Sequence, residues 1–309
     1  MQIVRGLESY PPDADRSVVA LGAFDGIHLG HRAILGTAVA RGRARGIRTV
    51  ACTFDRHPMD VLNPARAPAP LTTLDERLAL IAETGVDVTL VLAFTPELAR
   101  VEPEAFVLDV VAARLHAQEV VVGYNHTFGR GARGDAALLC ELGGPLGLVT
   151  HVVPPLLVDG VIVSSSEIRA VLREGDVVRA ARYLGRPYSI AGVVTRGAGR
   201  GRTLGFPTAN LDPERPLLLP TGVYACRAEV AGQVHDAVVN VGVRPTFGDN
   251  ALTIEAYLLE VRADLYDRPL RLHFACRLRG EQKFGRVDDL RAQIARDVEA
   301  ARDALRTVG

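Results

Sequence analysis

The sequence predicts two architectures in series: an α/β doubly wound, Rossmann-like domain over residues 1–186, then a β-barrel with a terminal helix over residues 187–309. Three observations lead there. Apolar, β-rich runs alternate with helical segments through the first half, the pattern of a parallel sheet covered by helices. From residue 188 to 279 the chain turns to short strands at regular spacing, which suits a closed barrel. Leu290, Ile294, Val298 and Leu305 then recur at helical spacing on one face.

The elements follow in order. Residues 17–23 read as a strand, 31–45 as a helix ended by Gly46, and 48–54 as a strand. Residues 74–84 read as a helix, 86–94 as a strand, 104–116 as a helix and 119–123 as a short apolar strand. Two short helices are expected at 164–173 and 176–184, and the change to barrel character falls near Arg186 and Pro187. The last helix is expected to pack on the barrel and close an edge or opening.

Lys plus Arg and Asp plus Glu are both 36, so no global basic field points to nucleic acid or an anionic membrane. No apolar run approaches the ~20 residues of a membrane span, and MQIVRGLESYPPDADR lacks the apolar core of a secretory signal. Cys52, Cys140, Cys226 and Cys276 are far apart and form no CxxC pair, which argues against a zinc or dithiol site. They are expected as buried thiols in a reducing cytoplasm. Partners are expected to be small molecules, with no nucleic acid and no membrane. The sequence leaves the oligomeric state open.

GAFDGIHLGH, residues 22–31, lies between the first strand and the first helix. In doubly wound sheets ligands sit beyond the carboxyl ends of strands, at the switch point. Gly30 is placed at the helix start, so His28 and His31 sit where free N–H groups and the helix dipole favour an anion. Gly22 and Gly26 allow close backbone approach. The pattern suits attack on an α-phosphate with loss of pyrophosphate, which needs positioned donors more than a base. A tight Gly-rich turn with incidental polar residues is the plainer alternative.

This HxGH element resembles that of the nucleotidylyltransferase superfamily, and FDG narrows the resemblance to the bacterial bifunctional riboflavin kinase/FMN adenylyltransferase (FAD synthetase) family. TFDRHP at 53–58, VGYNHTFGRGARGD at 122–135 and SSSEIR at 164–169 are similar to further motifs of that family, in order. The resemblance implies nucleotide or flavin contacts at Gly22, Phe24, Asp25, Gly30, His57, Asn125, Gly129 and Arg130. It also implies triphosphate contacts at Ser164, Ser165 and Arg169, with His28, His31 and Arg169 catalytic. Taken alone, SSSEIR is a helix start that a serine can cap, and the Gly/Arg loop offers flexible backbone with planar cationic forks.

The second half opens with TRGAGRGRTLGFPTANL at 195–211. Its spacing and lack of Lys exclude a Walker A loop, yet Gly197, Gly199, Gly201 and Gly205 still supply a phosphate cradle. Thr208 and Asn210, two apart on an extended segment, share one side and suit a magnesium ion held together with phosphate. The segment resembles the flavokinase motif, PTAN being its most diagnostic part. The resemblance adds Arg202, Pro207 and Asn240 as binding residues and puts the catalytic base on Glu255 in LTIEAYLLE. That carboxylate meets a chemical need, because an attacking alcohol must lose its proton.

Three departures stand out: Arg56 where the family has Pro, Ser166 for Thr, and His126 with Thr127 where acidic or aromatic and basic residues are common. The implied function is phosphorylation of riboflavin to FMN by the barrel and adenylylation of FMN to FAD by the first domain, with Mg2+ and ATP at both sites. One alternative keeps a single active domain and makes the other a flavin-binding regulatory module. Another is a nucleotidylyltransferase of a different substrate class, against which PTAN and Glu255 speak.

Overall fold

The structure is a computed structural model that describes residues 1–11, 14–197, 201, 204–246, 249–261 and 264–307. The chain folds into two compact units, Met1–Ser165 and Ser166–Gly309.

In the first unit, in chain order, lie β1 (Gln2–Arg5), β2 (Ser17–Leu21), α1 (Leu29–Arg45), β3 (Arg48–Phe54), α2 (Pro58–Leu62), α3 (Leu74–Ala82) and β4 (Val88–Leu92). There follow α4 over residues 103–114, π-helical from Phe106, then β5 (Ala117–Gly123), β6 (Thr127–Phe128), β7 (Gly134–Asp135), α5 (Ala136–Gly143) and β8 (Val149–Val153). A small hairpin, β9 (Leu157–Val158) with β10 (Val161–Ile162), completes it.

Six strands form one all-parallel sheet in the order β1-β4-β3-β2-β5-β8. All five residues of SVVAL in β2 are buried, as a strand covered on both faces requires. Val19, Leu21, Val50 and Val120 pack toward Val107, Val111 and Leu139 of α4 and α5. Val18, Ala20 and Ala51 pack the other way, onto Leu35 and Ala38 of α1 and Ile81 of α3. Helices therefore cover both faces, the doubly wound arrangement read from the sequence. The strand order reverses between β2 and β5, which puts the switch point at the end of β2 and beside the end of β5. β1 and β8, which the sequence reading did not name, are the two edges.

At the other end of α1, Arg41 and Arg45 approach Glu119 of β5 at 2.7 and 2.6 Å, and His151 of β8 approaches it at 2.6 Å. Hydrogen bonding from Arg41 leads the causes that hold the buried Glu119 carboxyl down at about 2.

The second unit begins with α6 (Ser165–Glu174), all but its first residue, and α7 (Val177–Leu184). The barrel strands are β11 (Tyr188–Thr195), β12 (Ala209–Pro213), β13 (Gly222–Val230), β14 (Gln233–Thr246), β15 (Asp249–Leu258) and β16 (Pro269–Arg279), followed by α8 (Val287–Thr307). The sheet closes in the order β11-β12-β15-β14-β13-β16, every pairing antiparallel. α6 and α7, read from the sequence as the end of the first domain, belong to this compact unit; α7 packs on β16 and β11.

Two expectations are corrected. The barrel has no open edge, so α8 covers its wall instead: Val298, Ala301 and Leu305 pack on Val223, Ala225, Val238 and Leu259. Arg279 and Asp297 fasten this contact with hydrogen bonds of 2.7–3.2 Å. Cys52 and Cys226 are buried thiols, but Cys276 is half-buried and Cys140 is exposed, because α5 turns its neighbour Leu139 inward.

Candidate active sites

The first site is built by the turn after β2. His28 caps α1, which starts at Leu29, one residue before the expected Gly30. The His28 Nδ1 accepts from the His31 N–H at 3.3 Å, and the two rings stack with centroids 3.7 Å apart. Gly30 makes room for this pair: a Cβ there would lie 3.1 Å from His28 Cε1. Phe24, fully buried, meets His31 edge-on at 5.4 Å. A Cβ on Gly22 would lie 2.7 Å from the Phe24 ring.

The turn is strained. Phe24, Gly26 and Ile27 have φ of 53°, 84° and 38°, and a non-Gly residue in this region costs of order 1–3 kcal/mol unless its surroundings impose it. Here they do. Ala23 O accepts from Thr53 Oγ1 at 3.0 Å and from Arg77 Nη1 at 2.7 Å. The buried Asp25 carboxylate accepts from Leu71 N, Thr72 N and Thr72 Oγ1 at 3.0–3.1 Å. Ser165 Oγ donates to Asp25 O at 2.9 Å, and Thr72 Oγ1 also receives the Gly26 N–H at 3.1 Å. Phe24, Asp25 and Ser165 thus support the turn that carries the histidines. Thr53, Thr72 and Arg77 share that task and were not named as site residues from the sequence; they stand at the end of β3, just before α3 and on the inward face of α3.

Beside the switch point, β5 leads to the exposed Asn125. The next residue, His126, stacks on Phe128 at 5.8 Å, and burial pushes its imidazole down to about 4, so it is neutral at pH 7. Gly129, at φ 71°, lies against Pro103, where a Cβ would come within 2.7 Å. Arg130 and Arg133 pair with Glu102 at 2.7 and 3.2 Å. His57 caps α2 in a reciprocal capping box with Asp60. Ser164 immediately precedes α6, and Arg169 sits buried one turn into that helix.

The second site is a register effect. Asn210 on β12 stands opposite Glu255 on β15, and Glu255 stands opposite Asn240 on β14. The three polar residues form one row across adjacent strands. Their flanking neighbours (Ala209, Leu211, Ile254, Ala256, Val239 and Val241) are buried on the opposite face. Gly197 packs directly on the Asn210 amide, where a Cβ would collide. A Cβ on Gly201 would lie 3.1 Å from Thr208 Oγ1. Gly197 and Gly201 therefore lie against Asn210 and Thr208, and Gly205 has φ 88° ahead of the exposed Pro207. Gly199 and Arg202 lie outside the described residues. Among the described residues no group of three or more His, Cys, Asp or Glu is placed to hold a metal. Thr208 and Asn210 offer neutral oxygens, the donor chemistry of a hard cation that keeps its phosphate ligands.

A parallel α/β sheet with a Gly-His turn at its switch point, followed by a closed barrel carrying a polar row, fits the class of two-domain nucleotide-using transferases. Family comparison is specific: the FAD synthetase model matches residues 10–167 and the riboflavin kinase model residues 184–305. The chain belongs to the bifunctional riboflavin kinase/FMN adenylyltransferase family. It is 35% identical to the protein of that name from Escherichia coli K12, over 98% of this chain and 97% of the relative. It is 38% identical to that from Pseudomonas fluorescens over 98% and 97%. A solved structure described as a macrolide-efflux protein from Streptococcus pneumoniae superposes with a TM-score of 0.88 at 29% identity, covering 98% of this chain and 99% of that one. In the present chain no described helix is long and apolar enough to cross a membrane.

Proposed function

We infer that the chain phosphorylates riboflavin to FMN and then adenylylates FMN to FAD, with ATP consumed in both steps. The observation that carries this reading is that each half, matched by its own family model, holds its own polar constellation. Nothing in either unit favours a single active domain. We place the functional boundary at 186/187, where the first barrel strand is about to begin.

In the barrel, the riboflavin 5′-hydroxyl attacks the γ-phosphorus of ATP, a new P–O bond forms, and the bond to the β-γ bridging oxygen breaks to release ADP. Glu255 takes the hydroxyl proton, and Asn210 and Asn240 on either side hold that carboxylate's surroundings polar. Gly197 and Gly201 bring backbone N–H groups to the phosphates. Thr208 and Asn210 would hold Mg2+, which when bound neutralises phosphate charge.

At the first site the nucleophile is the FMN phosphate, already ionised, so no base is needed. It attacks the α-phosphorus and pyrophosphate leaves. The N–H groups at the start of α1 and the donors of His28 and His31 stabilise the charge that grows on the phosphoryl oxygens. We read the enzyme as cytoplasmic, where ATP is supplied. The test is chromatography of products from riboflavin plus Mg-ATP, and separately from FMN plus Mg-ATP, with pyrophosphate release followed in parallel. FMN and FAD both appear if the reading holds; FMN without FAD rejects the second activity.

A further inference from the structure

We propose that Arg77 is a positioning residue for the adenylylation site, acting on the phosphate turn without touching substrate. The inference rests on the adenylyltransferase reading of the first unit.

Arg77 lies on α3, whose start is locked by the reciprocal Thr73–Glu76 capping box. Its side chain is buried at 6% exposure, and its guanidinium donates to two main-chain carbonyls: Ala23 O at 2.7 Å and Asp55 O at 3.4 Å. Those carbonyls follow β2 and β3, which are paired neighbours, and β2 is one of the two strands at the switch point. One cation therefore ties together two strand exits. Burial lowers its pKa and the charges of Asp25 and Asp55 raise it; arginine keeps its proton in such surroundings.

The turn it holds does not hold itself. Phe24 and Ile27 sit at positive φ with Gly26 between them, and bulky or β-branched residues stay there only where outside contacts impose it. Ala23 O, directly before Phe24, is the anchor shared by Arg77 and Thr53. From this turn the chain passes straight to His28 and the start of α1. A sub-ångström shift there degrades alignment with an α-phosphate. A planar guanidinium presents its donors in a rigid fork that suits the position, whereas a lysine ammonium is a compact charge on a flexible stem.

The experiment uses the full chain with Arg77→Met, Arg77→Lys and, as a milder probe, Thr53→Val. Two readouts are taken: kinetics from FMN and from riboflavin, and hydrogen exchange of the peptide covering residues 22–28. Arg77→Met is expected to raise KM for ATP and lower kcat/KM for FMN adenylylation at least tenfold, with riboflavin phosphorylation within twofold of the parent. Exchange in the turn should rise at least tenfold, and Arg77→Lys should recover part of both. Should Arg77→Met not fold, Thr53→Val carries the test, with an expected threefold or greater rise in KM for ATP. Unchanged turn exchange, or a fall in kcat that only follows the folded fraction with KM unaltered, overturns the proposal. If the parent chain makes no FAD while exchange responds as expected, the activity assignment fails and the hold of Arg77 on the turn stands.

Discussion

His28 Nδ1 accepts a hydrogen bond from the backbone N–H of His31 at 3.3 Å, and the two imidazoles stack 3.7 Å apart. With Nδ1 engaged as acceptor, the proton of a neutral His28 ring resides on Nε2. The helix cap thus also selects which nitrogen donates. Replacing both histidines with alanine should lower FMN-to-FAD conversion by ~10²–10³-fold while leaving riboflavin phosphorylation intact, measured in separate assays of the same preparation.

Gly30→Ala would put a Cβ 3.1 Å from His28 Cε1 and 3.2 Å from Nδ1. The imidazole must give way, although alanine is the better helix former by about 1 kcal/mol. The expected outcome is a several-fold loss of FAD synthesis with thermal stability unchanged or raised, read by kinetics and a melting curve.

Glu255→Gln keeps the shape of the central member of the Asn210–Glu255–Asn240 row and removes its basicity. FMN formation from riboflavin should fall by ~10²–10⁴-fold, with FAD formation from added FMN retained. Loss of both activities in a folded variant would count against two separate sites.

Gly197→Ala directs a methyl group into the Asn210 amide. Displacing that side chain should cut riboflavin kinase activity by ~10-fold or more and raise the Mg2+ concentration needed for half-maximal rate. FMN adenylylation is the internal control.

The hydrogen bond from Arg41 pushes the Glu119 carboxyl down to about 2, from the 4.5 of a free glutamate. The native state therefore binds fewer protons than the unfolded state. The stabilisation is complete above the unfolded value and is lost as pH falls from there through about 2. Glu119→Gln should cost about 2 kcal/mol at pH 7 and flatten the acid limb of unfolding between pH 4.5 and 2. Denaturant titrations across that window check both.

Local patterns made much of the fold legible. β3 falls on the expected residues 48–54, and α1 ends at the left-handed Gly46 that was read as its stop. β2 was readable because a strand buried on both faces must be apolar throughout. The edge strand β8 alternates poorly between half-buried and exposed positions, and β1 is only four residues long, so neither stands out as a periodic signal. In LDERLALIA helical spacing puts Arg77 on the face of Leu74, Leu78 and Ile81, but only the fold shows that it is buried under the turn after β2.

By itself the sequence determined that a Gly-rich turn with two histidines follows the first buried strand, that the second half is a barrel carrying PTAN, and that the chain resembles a two-activity flavin enzyme. These are properties of neighbouring residues: backbone freedom, capping and apolar period act over a few positions. Only the tertiary structure decided that β2 and β5 form the switch point, that Asp25 and Arg77 brace the strained turn, and that Asn210, Glu255 and Asn240 stand in one row. Those relations depend on strand order and register, which packing sets between segments far apart along the chain, where no local pattern reaches.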